Sequence, residues 1–157
     1  MTMATLAQGV TMSYSETMER ARPARTGVMP RRPDVSKVLI VDDEPHLRLL
    51  YETELRRAGF DTLTAGTAAQ GLEYVQTMKP DLVVLDIRMP GMDGIEALQR
   101  ILDRDNRIPV VLNTAFSSYR DNYLTWAADA YVTKSADVTE LVETVRNVLD
   151  GRVASRS

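Results

Sequence analysis

The chain contains no cysteine and a single histidine among its 157 residues. Without cysteine it cannot form a disulfide scaffold, a thiolate metal site or a cysteine nucleophile, and this absence suits a reducing compartment such as the cytoplasm. One histidine, His46, is too few for a metal site built from several imidazole groups and argues against a Ser-His-Asp triad. No apolar stretch reaches the roughly 20 residues that a membrane span requires. We therefore expect a cytoplasmic protein with no membrane insertion.

The net charge is −3, and it is unevenly distributed along the chain. Residues 1–36 carry five arginines and three acidic residues, a net charge of +2, whereas residues 37–157 carry 14 basic and 19 acidic side chains, a net charge of −5. An acidic domain repels the phosphate backbone of DNA and RNA. We therefore expect no direct contact with nucleic acid.

Three parts of the chain are distinguished by their hydrophobic pattern. Residues 1–36 show no periodicity and end in a Pro- and Arg-rich run, which predicts a disordered extension or a start codon assigned too far upstream. Residues 37–151 contain all the periodic segments and form the predicted domain. Residues 152–157 are a short tail, so we expect no second domain after it.

Within the domain, short apolar runs alternate with amphipathic helix patterns. Five strands are predicted, at residues 38–41, 60–64, 82–85, 108–112 and 130–132. Runs that are apolar throughout are typical of parallel strands buried on both faces. Strict alternation of strands and helices predicts an α/β fold with a doubly wound, five-stranded parallel sheet.

The helix patterns carry clear start and stop signals. The first helix places Tyr51 and Leu55 on its apolar face and ends at Gly59, and Thr67 is the predicted N-cap of the second. A weaker helix over 117–127 carries an aromatic stripe that is either core or a docking surface, formed by Tyr119, Tyr123 and Trp126. The last helix is predicted to begin at a capping box of Asp137 and Glu140 and to end at Gly151.

Polar side chains follow four of the five predicted strands: Asp42 and Asp43, Asp86, Asn113 and Thr114, and Thr133 and Lys134. The carboxyl ends of parallel strands share one edge of the sheet, where ligands bind, so we expect these side chains to converge. Clustered carboxylates repel one another and recruit a cation, and oxygen ligands favour Mg²⁺. With this charge neutralised, an aspartate can attack a phosphoryl group. Taken singly, such an aspartate could instead be a helix N-cap and such a lysine simply solvated.

Four segments resemble the receiver domain of bacterial two-component response regulators. They are residues 38–45 (VLIVDDEP), 85–94 (LDIRMPGMDG), 113–115 (NTA) and 130–134 (AYVTK), in the same order as in that family. The resemblance covers residues 37 to about 150. It implies a flavodoxin-like (βα)5 fold with strand order 2-1-3-4-5, in which Asp86 is the phosphoacceptor.

The resemblance also implies a role for each site residue. Asp42, Asp43, Asp86 and the backbone carbonyl of Arg88 would hold Mg²⁺. Thr114 would turn its hydroxyl group toward the phosphoryl group, Lys134 would be the charge partner, and Tyr131 would change rotamer as the switch.

This chain departs from the family pattern in three ways after the fourth strand, and the first is a span from Thr114 to Ala127 that is shorter than usual. Ser135 replaces the proline that usually follows the lysine, so the Lys134–Ser135 bond is either trans or held cis by its neighbours, because a non-proline cis bond costs about 3 kcal/mol. Ala127 replaces a glycine. These departures bear on the helix over 117–127 and not on the chemistry.

The residues that flank the path of an attacking water in the family are here Arg88 and Phe116. Neither side chain offers the carboxylate or amide that would orient that water. We therefore expect slow intrinsic dephosphorylation.

The function implied is that of a stand-alone receiver and not an enzyme acting on other molecules. It would accept a phosphoryl group from a sensor histidine kinase or a phosphotransfer protein and present a changed surface to a downstream protein. His46 is predicted to lie on a helix surface, so the donor histidine belongs to another protein. Three alternatives remain: a phosphorelay intermediate, a degenerate receiver that only binds partners, and a haloacid-dehalogenase-like phosphatase. The last would need an acid where this chain has Arg88.

Overall fold

A computed structural model describes residues 35–115, 127–135 and 137–156. For residues 152–156 it describes the backbone only. The predicted extension before residue 35, Phe116 and the aromatic stripe of the weaker helix lie outside the described residues, so the expectations about them stay predictions.

Five parallel strands form one sheet, in the order β2-β1-β3-β4-β5. The strands are β1 (Lys37–Val41), β2 (Asp61–Ala65), β3 (Leu82–Leu85), β4 (Val110–Thr114) and β5 (Ala130–Thr133). The order reverses between β1 and β3, which is the switch point where the carboxyl ends of the strands open a crevice. The predicted flavodoxin-like fold is confirmed.

Helices cover both faces of the sheet. In the described ranges these are α1 (Pro45–Arg57), α2 (Ala68–Met78), α3 (Gly94–Arg104) and α4 (Thr139–Arg156). On what we call the α1/α4 face, Tyr51, Leu55, Leu141 and Val145 pack on alternate strand residues such as Val111. On the α2/α3 face, the larger buried helix residues are Leu72, Val75, Ile95, Leu98 and Ile101. No helix in the described part of the chain is long and apolar enough to cross a membrane.

The fourth strand begins two residues later than predicted. Pro109 has no N–H to donate to the ladder, although its carbonyl accepts from the Val83 N–H at 3.0 Å. Strand β4 therefore runs from Val110 to Thr114, and Asn113 and Thr114 lie inside the strand and not after it.

Both predicted ends of the last helix are wrong. The Ser135 Oγ accepts from the Asp137 N–H at 3.1 Å, so the N–H that a capping box would give to Glu140 is already bonded. The Asp137 carboxylate instead accepts from the Thr139 N–H at 2.9 Å. The helix also continues through Gly151 to Arg156, because Gly151 keeps an ordinary backbone conformation, whereas Gly59, with φ of +100°, ends α1.

The Thr67 hydroxyl caps α2, as predicted, by accepting from the Gln70 N–H at 3.1 Å. We expect Thr67→Ala to lower the free energy of unfolding by about 1 kcal/mol, because an N–H of the first turn loses its partner. The matched control is Thr77→Ala near the other end of α2, where the hydroxyl donates to the Glu73 carbonyl inside the helix. That control should be neutral or slightly stabilising. Urea unfolding of both variants measures the difference, and equal losses would contradict the capping role.

Candidate functional site

Three charged side chains, each directly after a different strand, meet at the carboxyl edge of the sheet. The Lys134 ammonium lies 2.7 Å from Asp42 Oδ2 and 3.0 Å from Asp86 Oδ2. The side chains of Asp42 and Asp86 are almost fully buried, and that of Lys134 is 11% exposed. The predicted convergence of these residues is therefore present in the structure.

Each of the two buried carboxylates uses one oxygen for its own loop and the other for the lysine. Asp42 Oδ1 accepts from the Glu44 N–H at 2.9 Å, and Asp86 Oδ1 accepts from the Arg88 N–H at 3.2 Å. Their Oδ2 atoms both face Lys134. The loops after β1 and β3 thus orient the carboxylates, and the lysine holds them together.

Burial and charge shift the protonation equilibria of Asp86 and Lys134. Burial raises the pKa of the Asp86 carboxyl group, and repulsion from Asp42 adds to this, although the charge and hydrogen bond of Lys134 oppose it. Burial lowers the pKa of Lys134, but the hydrogen bond to Asp42 and the charge of Asp86 outweigh it and raise that pKa above its usual range. Lys134 therefore stays charged, and Asp86 accepts a proton more readily than an ordinary aspartate.

Asp43 completes a cluster of three carboxylates. One oxygen each from Asp42, Asp43 and Asp86 lies within 4.8 Å of the others, with Asp43 partly exposed. Carboxylate oxygens without imidazole or thiolate are the ligands that hard divalent cations prefer. The cluster, open on the side of Asp43, fits such a cation.

Gly94 brings the loop after β3 into close contact with the backbone at Asp86. The Gly94 N–H donates to the Ile87 carbonyl at 2.8 Å. A Cβ atom at Gly94 would overlap the Asp86 carbonyl oxygen and the Ile87 Cα. The Asp93 side chain then caps α3 through the Ile95 N–H. Only glycine allows α3 to begin this close to Asp86.

Thr114 and Tyr131 lie on the α2/α3 face of the sheet. Thr114 is fully buried, and its carbonyl accepts from the Lys134 N–H at 2.8 Å. Tyr131 pairs with Leu112 on β4 and packs against the apolar residues of the α2/α3 face. The two residues thus share a face on adjacent strands, while the side chains of Asp42 and Asp86 follow the alternation of the α1/α4 face.

The other predicted positions are simple to place. Arg88 is exposed, apart from the backbone N–H that holds Asp86. The Lys134–Ser135 bond is trans, since no cis bond occurs in the described ranges. His46 lies in the first turn of α1 with 77% of its side chain exposed, on the helix surface as expected.

Two residues of the site were not singled out from the sequence. Glu44 places Oε1 at 3.7 Å from the Lys134 ammonium, and it follows the two aspartates directly, which is a local signal. Arg48, on α1, donates to the Asp42 carbonyl oxygen at 2.7 Å. An arginine in a helix is usually solvated, so no sequence signal identified this contact.

A family model described as the response regulator receiver domain matches residues 38–146. The chain belongs to the response regulator receiver family. Curated relatives of this receiver domain include the transcriptional regulatory protein TrcR of Mycobacterium tuberculosis, 38% identical over 145 residues, which are 88% of this chain and 56% of TrcR. The DNA-binding response regulator MtrA of Mycolicibacterium smegmatis is 41% identical over 70% of this chain and 49% of its own length. The chain thus spans about half the length of these relatives.

Solved structures of the family include chains of nearly the same extent as the receiver domain. The response regulator TrrA of Thermotoga maritima, in complex with Mg²⁺ and BeF, is 38% identical with a TM-score of 0.71, over 73% of this chain and 99% of TrrA. TrrA in complex with the histidine kinase ThkA is 39% identical with a TM-score of 0.69, over the same shares of the two chains.

We expect Gly94→Ala to destabilise the receiver domain by about 2 kcal/mol, because the added methyl group overlaps backbone atoms that cannot rotate away. Gly151→Ala is the control, since Gly151 also lies in a helix but has open space around its Cα. That change should be neutral or stabilising. Urea denaturation of both variants is the measurement. If Gly94→Ala and Gly151→Ala change the free energy of unfolding equally, the close approach to the Asp86 backbone is not the reason that position 94 is a glycine.

Proposed function

We propose that this receiver domain is a phosphorylation switch that accepts a phosphoryl group on Asp86 in a Mg²⁺-dependent reaction. The observation that carries the proposal is the Lys134 ammonium held between the buried carboxylates of Asp42 and Asp86. The proposed donor is a phosphohistidine of a sensor histidine kinase or phosphotransfer protein, and the TrrA–ThkA complex in the family supports this. A cytoplasmic location is part of the same proposal.

The proposed chemistry follows from the different partners of the two oxygens of the Asp86 carboxylate. Its Oδ1 is held by the Arg88 N–H, and its Oδ2 faces Lys134. In the transfer, a carboxylate oxygen bonds to phosphorus while the bond from phosphorus to the histidine nitrogen breaks. The ammonium of Lys134 then balances the charge of the phosphoryl oxygens. Asp86 must be ionised to attack, and the charge and hydrogen bond of Lys134 favour that ionised form against the burial that raises the Asp86 pKa.

Mg²⁺ would be held by Asp42, Asp43 and Asp86, with the Arg88 carbonyl as the further ligand that family resemblance implies. When bound, the ion would supply charge neutralisation at the phosphoryl oxygens. The TrrA structure with Mg²⁺ and BeF supports this assignment. Thr114 and Tyr131 are the proposed switch residues, and their shared position on the α2/α3 face is consistent with that role.

The proposal treats the receiver domain as acting alone, through a downstream protein, and not as an enzyme for other substrates. The support is that the solved TrrA chain is matched over 99% of its own length, so that chain has nearly the extent of a receiver domain by itself. The net charge of −5 over residues 37–157 disfavours direct contact with DNA. The competing case is a longer DNA-binding regulator, as TrcR and MtrA are described. Immunoblotting of the native protein separates the two, since a stand-alone receiver runs near 17.6 kDa.

We expect Asp86→Asn to abolish phosphorylation by acetyl phosphate while the domain stays folded. Asparagine removes the nucleophile and also a buried charge that burial disfavours, so the free energy of unfolding at neutral pH should equal or exceed that of the wild type. Radiolabel incorporation and urea unfolding are the measurements. Asp103→Asn, a change on the exposed side of α3, is the control and should label normally.

The outcomes separate the alternatives. Stoichiometric labelling that depends on Asp86 supports the phosphorylation switch, and transfer of the label to a further histidine protein identifies a phosphorelay intermediate. Continuous release of phosphate would indicate a phosphatase. A wild type that is not labelled at all would indicate a degenerate receiver. Equal labelling of wild type and Asp86→Asn would show that another residue accepts the phosphoryl group.

We expect Asp43→Asn to weaken Mg²⁺ binding by at least about tenfold, because the cluster loses one of its three charged ligands. Asp103→Asn again serves as the control, with unchanged affinity. Isothermal titration calorimetry with MgCl₂ measures both. An unchanged affinity in Asp43→Asn would mean that the ion binds elsewhere.

A further inference from the structure

Arg48, in the first turn of α1, extends its side chain back over the loop that follows β1. Its Nη1 donates to the Asp42 carbonyl oxygen at 2.7 Å, six residues earlier in the chain. Its backbone N–H donates to the Glu44 carbonyl at 3.0 Å, which is the first hydrogen bond of the helix. The side chain therefore ties the start of α1 to the segment that carries Asp42 and Asp43, two of the three carboxylates of the cluster.

The hydrogen bond from Arg48 completes the set of contacts that fixes Asp42. The Asp42 N–H donates to the backbone carbonyl of the last residue of β2 at 3.1 Å. Its two carboxylate oxygens are held by the Glu44 N–H and by Lys134. The Asp42 carbonyl belongs to the peptide unit shared with Asp43. Because a peptide unit is planar, an arginine that fixes the direction of this carbonyl also fixes where the Asp43 Cα lies.

The guanidinium group of Arg48 also lies against Gly66, the residue that follows β2. A Cβ atom at Gly66 would lie 3.1 Å from Nη1, 3.4 Å from Cζ and 3.6 Å from Nη2 of Arg48. The φ angle of Gly66 is outside the left-handed region, so the arginine and not backbone strain limits a side chain there. One guanidinium group thus contacts the loops after β1 and after β2.

We propose that Arg48 is a positioning residue for the Mg²⁺ site. It fixes the peptide unit between Asp42 and Asp43 and so holds the Asp43 carboxylate toward the other two carboxylates of the cluster. The effect on Mg²⁺ rests on the proposed function, whereas the effect on the metal-free loop does not. A ligand that is already oriented loses less conformational freedom when the ion binds, so the ion is bound more tightly. Asp43 depends most on such support, because it is partly exposed, whereas the other two carboxylates are buried against Lys134.

The positive charge of Arg48 acts in the opposite direction to this positioning role. A cation beside a cation site repels Mg²⁺, so an effect of the charge alone predicts that removing it strengthens Mg²⁺ binding. The positioning role predicts that removing Arg48 weakens Mg²⁺ binding. The direction of the change in Arg48→Gln therefore separates the two explanations.

The first test is made on metal-free protein. The Glu44 N–H donates to Asp42 Oδ1 at 2.9 Å, and this bond spans the peptide unit that Arg48 fixes. The Arg88 N–H makes the corresponding bond to Asp86 Oδ1 at 3.2 Å, in the loop after β3, and is the internal reference. Solvent exchange of both amides is followed by NMR. In Arg48→Gln we expect the exchange rate of the Glu44 amide, divided by that of the Arg88 amide, to rise about fivefold, the ratio that one hydrogen bond is worth. An unchanged ratio would overturn the inference.

The second test measures Mg²⁺ binding by isothermal titration calorimetry. We expect binding about fivefold weaker in Arg48→Gln, with partial recovery in Arg48→Lys, whose ammonium can still donate to the carbonyl. Arg57→Gln is the matched control, because it removes the same charge from the last turn of α1, where the Arg57 guanidinium is exposed and lies 3.3 Å from the Glu54 carboxylate. That control should bind Mg²⁺ as the wild type does. Equal or stronger binding in Arg48→Gln would contradict the positioning role.

Gly66→Ala tests the same contact from the loop after β2. The added methyl group would meet the Arg48 guanidinium at 3.1 Å and displace it by a few tenths of an ångström. We expect Mg²⁺ binding about twofold weaker in Gly66→Ala, and no further weakening when this change is made in Arg48→Gln. Equal weakening in both backgrounds would show that Gly66 does not act through Arg48 and would count against the inference.

The last measurement is the initial rate of phosphorylation by acetyl phosphate as a function of Mg²⁺ concentration. Because Arg48 acts through a metal ligand, Arg48→Gln should raise the half-saturating Mg²⁺ concentration about fivefold and leave the rate at saturating Mg²⁺ close to that of the wild type. A lower saturated rate with unchanged half-saturation would exclude this role. A wild type that is never phosphorylated contradicts the proposed function, whereas the exchange and binding tests still decide the role of Arg48.

Discussion

Lys134 lies between Asp42 and Asp86, and the arrangement of the whole site depends on this charged contact. Two buried carboxylates that both contact one ammonium are close enough to repel each other. The positive charge of Lys134 compensates for their burial. The three residues directly follow β1, β3 and β5, so the contact also ties the centre of the sheet to its edge strand. Removing the lysine would leave two buried carboxylates without the charge that compensates them.

The parallel sheet explains why the contact forms at this edge. Each strand ends at the same side, and the loops that follow β1 and β3 turn back at once into α1 and toward α3. Backbone N–H groups in these turns hold one oxygen of each aspartate, through Glu44 and Arg88. Gly94 lets α3 start against the backbone of Asp86. The local turns therefore set the direction of the carboxylates, and the long-range contact with Lys134 sets their spacing.

Strand β4 links the two faces of the sheet. Asn113 follows the alternation of the α1/α4 face, and the next residue, Thr114, belongs to the α2/α3 face with Tyr131. A displacement of the end of β4 would move side chains on both faces of the sheet, because successive side chains of a strand point to opposite sides. The same strand also carries the carbonyl that holds the Lys134 backbone. The site and the proposed switch residues thus share one structural support.

Short-range signals determined much of this protein from sequence. The apolar run 82–85 is β3 without correction, Thr67 caps α2, and Asp42, Asp86 and Lys134 converge because parallel strand ends must meet at one edge. The exceptions have local causes: Pro109 delays β4, and Ser135 takes the N–H expected for the Asp137 capping box. The tertiary structure alone decided that Arg48, which the sequence presents as an ordinary solvated arginine of α1, donates to the Asp42 carbonyl oxygen. That contact depends on how α1 packs against the end of β1, which the spacing of residues along one segment does not encode.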